Sequence, residues 1–332
     1  MVSVGVVGAG YWGKNHLRIL NEIPEANLSL IVEKDDSLAK KYSKLYKVET
    51  SQDHRGALIR DDIDAFIICT PNSTHYEIAR YALDAGKHIL VEKPMCLTSK
   101  NAQKLIDLAR EQNVVLMAGH VYSYNASVRA LFDLIKQDEL GKLLFIISSR
   151  MGLFPPRPDS GVILDLAIHD IDIITFLLDR RLPDRVFATG RSYMRNKFEE
   201  IAFITLEFAD DLMAHINTSW LSPMKVRNVC VSGTKKTANL DLIPQQLEIF
   251  EQGIEKTPRG AGDEIFDLIT RDGMSYKPPI EVREPLKVED EHFIECIEKN
   301  QIPLTDGKIA LDAIRVGEAA VRSLKERRYI EI

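Results

Sequence analysis

The sequence lacks any long apolar stretch, and none of its hydrophobic runs approaches the roughly 20 residues that a membrane-spanning helix needs. The segment Met1–Gly8 has neither a basic region nor a small-residue cleavage site, so export is not expected. Cysteine is scarce as well, because the chain contains only Cys69, Cys96, Cys230 and Cys296, without a CxxC pair. A disulfide framework is therefore not expected, and a cytoplasmic location is favoured.

A basic excess is also missing, since 43 Lys and Arg stand against 49 Asp and Glu, for a net charge of -6. This balance disfavours nucleic acid as the main partner, because neutralising phosphates needs a basic surface. A small anionic ligand held by a few arginines stays compatible with it. The hydrophobic share of 45% and the charged share of 28% exclude disordered and fibrous classes. A length of 332 residues suffices for two domains, at roughly 150 residues each.

The first 120 residues alternate short apolar segments with helical patterns. Continuous apolar segments too short for helices are typical of strands buried on both faces of a parallel sheet. The pattern therefore predicts a doubly wound α/β domain over residues 1–121. The predicted strands are Val2–Val7, Leu28–Val32, Ala65–Cys69, His88–Val91 and Val114–Met117. The predicted helices are Asn15–Glu22, Ser37–Tyr46, Ser73–Ala85 and Ser99–Gln112, the last capped by Thr98 or Ser99.

Residues 122–332 change character and are predicted to form a second, substrate-binding domain with an antiparallel meander. Its predicted strands are Arg185–Tyr193, Ile201–Phe208, Met213–Trp220, Val226–Ser232, Ala238–Leu242 and Leu247–Phe250. Its predicted helices are Ser127–Lys136, Ile163–Leu178, Glu289–Glu298 and Lys308–Leu324. The segment Gln252–Glu284, in which prolines and glycines are scattered among charges, is predicted to be an excursion or a mobile loop.

A glycine-rich motif, Gly8-Ala9-Gly10-Tyr11-Trp12-Gly13, follows the first predicted strand and precedes the first predicted helix. In a dinucleotide site the first glycine permits a tight turn and the second lets the backbone approach the pyrophosphate. The third lets helix and strand pack closely. The pyrophosphate would then lie on the helix N-terminus, where free N–H groups favour anions. The motif predicts a dinucleotide phosphate loop.

An acidic residue, Glu33, ends the second predicted strand, twenty residues after Gly13, where a ribose-binding carboxylate belongs. It would repel a 2′-phosphate, so NAD is favoured over NADP. The neighbouring Lys34 is able to accommodate that phosphate, so NADP stays open. The alternative interpretation makes Glu33 a solvated charge in an acidic loop.

Two polar segments follow later strands of the predicted sheet, at the edge where open α/β sheets bind ligands. Val91-Glu92-Lys93-Pro94 places a lysine there, and Pro94 restricts Lys93 to extended backbone, so its amine can bond a substrate hydroxyl. The alternative is an ordinary surface lysine. The loop Thr70–His75 would lie near the nicotinamide, or Asn72 or Ser73 would simply cap a helix.

Three titratable residues, Asp165, His169 and Asp172, are spaced i, i+4 and i+7 on an apolar predicted helix. Such groups are costly to bury without a purpose or partners. A histidine with a carboxylate one turn away suits general base work, since the carboxylate fixes the tautomer and supports the imidazolium. Two alternatives stay open: a helix cap with a satisfied core histidine, and a metal site, although HxxxH and paired cysteines are missing.

Taken together and in this order, the three motifs resemble the Gfo/Idh/MocA oxidoreductases over essentially the whole chain. The motifs are the glycine-rich loop, Glu92-Lys93-Pro94, and Asp165 with His169 and Asp172. The resemblance implies a Rossmann domain followed by an α/β domain whose large open, mainly antiparallel sheet mediates homodimers or homotetramers. It also implies an NAD(P) cofactor and a small-molecule substrate.

By the same resemblance, Lys93 bonds the reacting oxygen, His169 is the general base and Asp165 accompanies it, while the role of Asp172 stays open. The family often carries glycines before this helix motif, whereas this chain has only Gly161-Val162 there, which leaves the pocket width open. The predicted cofactor contacts are Gly8, Gly10, Tyr11, Trp12, Gly13, Glu33, Lys34, Thr70, Pro71, Asn72, His75, Glu92 and Lys93. No metal ligand is predicted.

Several stretches, among them Gly119–Asn125 and Phe154–Arg157, resemble the nucleotide-sugar 3-dehydrogenases within this family. The implied substrate contacts are Tyr124, Asn125, Arg150, Arg157, Asp165 and His169. Arginine suits a diphosphate because its planar fork donates two hydrogen bonds, although Arg157 can also be read as an exposed loop charge.

The sequence thus predicts an oxidoreductase that transfers hydride between a secondary alcohol of a sugar and nicotinamide, with C3 of a UDP-N-acetylhexosamine favoured. The first alternative is an inositol or free-sugar dehydrogenase of the same family. An NAD(H)-binding sensor without turnover and a metal-assisted hydrolase or lyase are the alternatives from other classes.

Overall fold

A computed structural model describes residues 1–194, 197–258 and 266–332. Its contacts divide the chain into two compact units. The first unit comprises residues 1–124, 157–172 and 283–318, and the second comprises residues 125–156, 173–282 and 319–332. Residues 157–172 and 283–318 thus belong to the first unit, although they follow the boundary predicted near residue 121, and the two-domain division at that boundary stays a prediction.

The first unit is built on a parallel sheet of six strands in the order β3-β2-β1-β4-β5-β6. The strands are β1 Val2–Val7, β2 Ala26–Val32, β3 Glu49–Ser51, β4 Ala65–Ile68, β5 His88–Glu92 and β6 Leu116–Gly119. Because the strand order reverses between β1 and β4, a crevice opens at the carboxyl ends of these two strands. The predicted doubly wound parallel sheet is confirmed, although the short β3 was not predicted.

Five helices connect these strands: α1 Gly13–Leu20, α2 Asp36–Tyr46, α3 His54–Leu58, α4 Asn72–Asp84 and α5 Ser99–Gln112. The predicted cap of α5 is confirmed, since the side chain of Thr98 accepts from the backbone N–H of Asn101. The predicted cap of α4 is wrong, because the helix already includes Asn72 and Ser73 and begins after Pro71. Leu17 of α1 and Phe293 of a later helix lie in the same buried core as β1.

The second unit contains a mixed sheet of nine strands within the described residues, in the order β16-β13-β12-β11-β7-β10-β9-β8-β17. All neighbours are antiparallel except β7 and β10. Its nine strands are β7 Leu143–Leu153, β8 Arg185–Arg191, β9 Ile201–Glu207, β10 Met213–Ser219, β11 Leu221–Gly233, β12 Thr237–Asp241, β13 Gln246–Phe250, β16 Ser275–Tyr276 and β17 Ile330–Glu331. Two further strands, β14 Gly253–Pro258 and β15 Phe266–Arg271, pair with each other in a separate sheet. The large, mainly antiparallel sheet is confirmed.

Two parts of this unit differ from the prediction. The central strand β7 was missed, because its second half carries polar and small residues in place of a continuous apolar run. The segment Gln252–Glu284 is wrong as a loop, since β14 and β15 pair within it and β16 joins the large sheet. The prolines and glycines scattered among charges in this segment favoured a loop, although such residues also occur in and around strands. Residues 259–265 of this segment lie outside the described residues.

The remaining helices are α6 Ala126–Lys136, α7 Ile168–Leu177, α8 Pro285–Lys299 and α9 Gly307–Glu326. The predicted helix Ile163–Leu178 is not α-helical throughout, because a π-helical turn, Ile163–Ala167, precedes α7. None of the helices in the described residues is both long enough and apolar enough to cross a membrane.

Candidate functional site

The glycine-rich loop has the geometry that its sequence predicts. Gly8 has a φ of +91°, a conformation that favours glycine. A Cβ on Gly13 would lie 1.8 Å from the carbonyl oxygen of Gly8, so only glycine permits this packing of helix on strand. A Cβ on Gly10 would meet no described atom within 4 Å, which leaves the loop open to an incoming group. The loop fits a pyrophosphate at the N-terminus of α1.

Glu33 lies directly beside this loop. One of its carboxylate oxygens accepts from the backbone N–H of Ala9 at 2.7 Å, and the other accepts from that of Asp35 at 3.0 Å. Each oxygen keeps a further lone pair for a ribose hydroxyl. The neighbouring Lys34 is exposed. Tyr11 is exposed as well, whereas Trp12 packs against the core and starts α1.

Lys93 and Asp165 form a buried pair at the end of β5. The amine of Lys93 donates to the backbone oxygen of Asp165 at 2.8 Å and lies 3.4 Å from its carboxylate oxygen Oδ1. Only 6% of the Lys93 side chain and 7% of the Asp165 side chain are exposed. The Nε of Arg157 is 3.2 Å from the same Oδ1, although 44% of the Arg157 side chain is exposed. One carboxylate therefore binds both cations, and one of these cations faces solvent.

The π-helical turn Ile163–Ala167 changes the arrangement of the residues that the sequence predicts to be catalytic. A π turn bonds i to i+5, so Asp165 and His169 do not share one straight α-helical stripe. The predicted i, i+4, i+7 arrangement within a single α-helix is therefore wrong. Within this turn the backbone oxygen of Asp165 reaches the amine of Lys93.

His169 and Asp172 lie on the first two turns of α7, and both are largely buried. The imidazole of His169 packs edge-on against the ring of Tyr122, with centroids 5.1 Å apart. Asp172 accepts a hydrogen bond from the hydroxyl of Ser123 at 2.9 Å and lies 3.9 Å from Nδ1 of His120. The short segment Val121–Tyr124 thus supports this helix from one side.

His75 connects the loop after β4 to the turn that contains Lys93 and Pro94, here called the lysine turn. Its Nδ1 lies 2.9 Å from the carbonyl oxygen of Pro94, and its Nε2 lies 2.7 Å from that of Thr70. His75 is buried, and burial lowers its pKa. Asn72 donates to the hydroxyl of Ser160 at 3.2 Å. The structure therefore connects Thr70 through His75 to Pro94, the residue after Lys93, whereas Asn72 contacts Ser160.

The described residues contain no group of three or more His, Cys, Asp or Glu arranged to hold a metal ion. Asp165, His169 and Asp172 engage Lys93, Tyr122 and Ser123, respectively. The donors that the sequence offered for a metal thus take part in hydrogen bonding and aromatic packing.

Residues 2–120 match the family model described as the NAD-binding Rossmann fold of the Gfo/Idh/MocA oxidoreductases. Residues 133–332 match the model of their C-terminal alpha/beta domain. The chain belongs to the Gfo/Idh/MocA oxidoreductase family. The N-terminal sheet is therefore the NAD-binding Rossmann fold of this family, and the glycine-rich loop with Glu33 fits that cofactor.

The proteins to which this chain is similar have names that refer to different compounds. The UDP-N-acetylglucosamine 3-dehydrogenase of Acidithiobacillus ferrooxidans is 29% identical over 82% of this chain and 85% of its own. Its solved structure superposes with a TM-score of 0.83 at 23% identity, over 98% of both chains. The myo-inositol 2-dehydrogenase of Thermotoga maritima is 24% identical over all of this chain and 98% of its own. A levoglucosan dehydrogenase in complex with NADH and levoglucosan has a TM-score of 0.84 at 19% identity, over 100% of this chain and 99% of that one.

Three residues predicted to contact the substrate of this oxidoreductase are buried. Tyr124 is buried in the core of the first unit, where its hydroxyl shares a hydrogen bond with Thr305 at 3.1 Å. Asn125 caps α6 by accepting from the backbone N–H groups of Ser127 and Val128. Arg150 is buried in β7 of the second unit. Contact of these residues with a substrate stays a prediction, whereas Arg157 does lie beside Asp165.

The sequence alone did not predict that His16 and Asp290 form a buried polar cluster with Glu92. His16 of α1 lies 2.9 Å from Oδ1 of Asp290 and 3.3 Å from Oε1 of Glu92. Glu289, beside Asp290 on α8, is fully buried, and neither of its carboxylate oxygens has a hydrogen-bond partner within the described residues. The sequence around Glu289 and Asp290 gives no signal for this group, because the pair lies among other charged and polar residues and its partners are more than 190 positions away.

Glu289 gives a prediction for stability. Burial raises its pKa well above 4.5, and the charge of Glu92 adds to this effect. A carboxyl whose pKa is raised on folding stabilises the folded state below its unfolded pKa. That contribution is lost as pH rises through the folded pKa. Glu289→Met should therefore raise the free energy of unfolding by about 1–3 kcal/mol at pH 8, with a smaller gain at pH 5.

Thermal unfolding of both proteins between pH 5 and pH 8 measures this difference. Glu298→Met is the matched control, since it removes a solvent-exposed carboxylate from the same helix and should change stability little. A gain from Glu289→Met that shrinks as pH rises would contradict the prediction.

Proposed function

We propose that this oxidoreductase oxidises a secondary alcohol of a sugar with NAD, C3 of a UDP-N-acetylhexosamine being the favoured position. The observation that carries the proposal is the buried Lys93–Asp165 pair with the partly exposed Arg157 beside it. A dry, fixed ammonium group is suited to stabilise a developing alkoxide. An arginine that faces solvent next to it is suited to bind an anionic group of the same ligand.

Each group of residues has its own role in the proposed reaction. Gly8, Gly10 and Gly13 hold the pyrophosphate of NAD, and Glu33 holds the adenosine ribose, which favours NAD over NADP. NAD supplies the hydride acceptor when it is bound. His169 removes the hydroxyl proton, and Lys93 stabilises the oxygen that is left with negative charge. Asp165 orients the amine of Lys93 through its backbone oxygen and its carboxylate.

The substrate class rests on relatives and on Arg157. The relatives include a nucleotide-sugar, an inositol and an anhydrosugar dehydrogenase, which are all proteins that act on carbohydrate-like alcohols. Arg157 favours the first of these classes, because its guanidinium can bind a diphosphate in a bidentate manner. An inositol or free-sugar substrate is the alternative. Such a substrate has no diphosphate for Arg157 to bind.

Self-association is a further part of the proposal. One face of the nine-stranded sheet carries the partly exposed Phe145, Ile147, Phe203 and Met213 on the neighbouring strands β7, β9 and β10, where Met213 is paired in register with Phe145. An exposed apolar face of this kind is typical of a protein–protein interface. We propose a homodimer or homotetramer through this face.

A panel of free sugars, inositols and UDP-sugars, each with NAD and with NADP, tests the proposed substrate. The measured quantity is the absorbance of the reduced cofactor. Turnover of UDP-N-acetylhexosamines with NAD supports the proposal. Turnover of inositols or free hexoses without turnover of UDP-sugars would replace it by the alternative. NADH binding without turnover of any compound would favour a sensor.

A further inference from the structure

His16 lies at the centre of a buried cluster, here called the His16 cluster, that also contains Glu92 and Asp290. Its Nδ1 lies 2.9 and 3.0 Å from the two carboxylate oxygens of Asp290, and its Nε2 lies 3.3 Å from Oε1 of Glu92. His16 and Asp290 are fully buried, and Glu92 is 7% exposed. The cluster thereby joins α1, which follows the phosphate loop, to β5 and to α8.

The surroundings of the imidazole favour its charged form. Both ring nitrogens face carboxylate oxygens, and an ionised carboxylate only accepts hydrogen bonds, so each nitrogen donates a proton when both carboxylates are ionised. Burial opposes this charge, but Asp290 raises the pKa of His16 well above 6.5. The other titratable groups that face the ring are Cys69 after β4 and Glu92 on β5, with Glu289 beside Asp290 on α8.

Glu92 contacts both His16 and the backbone of Lys93. While its Oε1 faces His16, its Oε2 accepts from the backbone N–H of Lys93 at 3.1 Å. Burial opposes ionisation of Glu92, but the hydrogen bond from His16 lowers its pKa. The ionised carboxylate therefore holds the backbone of Lys93 through a charge-assisted hydrogen bond, which is stronger than a neutral one.

We propose that His16 is a positioning residue for Lys93, which it fixes by clamping the carboxylate of Glu92 onto the backbone of Lys93. The role given to Lys93 rests on the proposed function, whereas the clamp itself is independent of it. His16 lies three residues after Gly13, so the same side chain links the helix that holds the cofactor to the turn that carries the amine.

Hydrogen exchange of the Lys93 amide, read at residue resolution without substrate, tests the clamp directly. His16→Asn removes the second nitrogen and the charge, and it should speed exchange at Lys93 by about tenfold or more. His54→Asn, on the short helix α3 outside the cluster, should leave this exchange unchanged. Unchanged exchange at Lys93 in a folded His16→Asn protein overturns the proposal.

A second variant covers the case in which His16→Asn does not fold. Asp290→Asn keeps the size of the side chain but removes the charge that holds His16 protonated, so exchange at Lys93 should also rise. If Asp290→Asn leaves this exchange unchanged, the proposal is likewise overturned.

Turnover on whichever compound the substrate panel identifies tests the consequence for Lys93. His16→Asn should lower kcat by about a hundredfold, since small misplacements of reacting groups cost that much. Loss of the buried cation makes neighbouring groups bind protons more tightly, so the acid limb of the pH profile should move to higher pH. If His16 only stabilised the fold, His16→Asn would lower the melting temperature. The kcat and the acid limb of the pH profile would then stay unchanged at temperatures below melting.

A mutant cycle separates the clamp from other effects of His16. If His16 acts through Glu92, the double variant His16→Asn/Glu92→Gln should lose no more kcat than the worse single variant. Additive losses would overturn the proposal. If no compound in the panel turns over, the proposed function fails, while the exchange measurement still decides on the clamp.

Discussion

His169→Ala should lower kcat by about 10²–10⁴-fold, the usual contribution of a general base. His169 lies on the first turn of α7, and its ring packs edge-on against Tyr122, a contact that restricts the orientation of the proposed base. The affinity for NADH should stay nearly unchanged, because the pyrophosphate and ribose contacts are assigned to the glycine-rich loop and Glu33.

Steady-state kinetics together with NADH fluorescence titration measure both quantities. His54→Ala on α3 is the matched control and should retain full activity. If His169→Ala kept a near-normal kcat, His169 would not be the general base. A large loss of NADH affinity would instead show that the ring acts in cofactor binding.

Lys93→Met is the second large effect, with an expected loss of about 10²–10³-fold in kcat. Methionine keeps much of the length and apolar body of the side chain but removes the only cation buried beside the backbone oxygen of Asp165 in the described residues. Arg157 still pairs with the carboxylate of Asp165, so the variant should fold. The developing alkoxide then has no fixed ammonium group nearby.

Lys104→Met, on the exposed side of α5, is the control for the loss of a lysine and should be fully active. The same kinetic and NADH-binding measurements apply. If Lys93→Met kept kcat and raised only KM, the amine would bind the substrate equally in ground and transition states, and its proposed role would be wrong.

Most of the fold was predictable because its signals are local. Continuous apolar runs revealed the parallel strands of the first sheet, and turn residues at regular spacing revealed most strands of the second. The prediction failed where burial and polarity did not follow those patterns. Strand β7 lies at the centre of its sheet but carries polar residues in its second half, and β14 and β15 fall in a polar segment read as a loop.

In the candidate site, too, features with a local sequence signal were predicted and features without one were not. Gly8, Gly13 and Glu33 were found by spacing, because a strand, a tight turn and a helix leave little freedom for where their residues lie. The π-helical turn at Ile163–Ala167 was not found, because the periodicity of a short apolar segment does not distinguish i+4 from i+5 bonding. The backbone oxygen of Asp165, which accepts from the amine of Lys93, belongs to this turn.

The sequence by itself therefore determined the fold class, the phosphate loop and the candidate reacting groups, since each depends on residues close together in the chain. Only the tertiary structure decided which distant groups meet: His16 with Asp290 across 274 positions, and Lys93 with Asp165 across 72. Contacts of this kind leave no periodic trace, because a buried charge needs only one partner, which any element folded against it can supply.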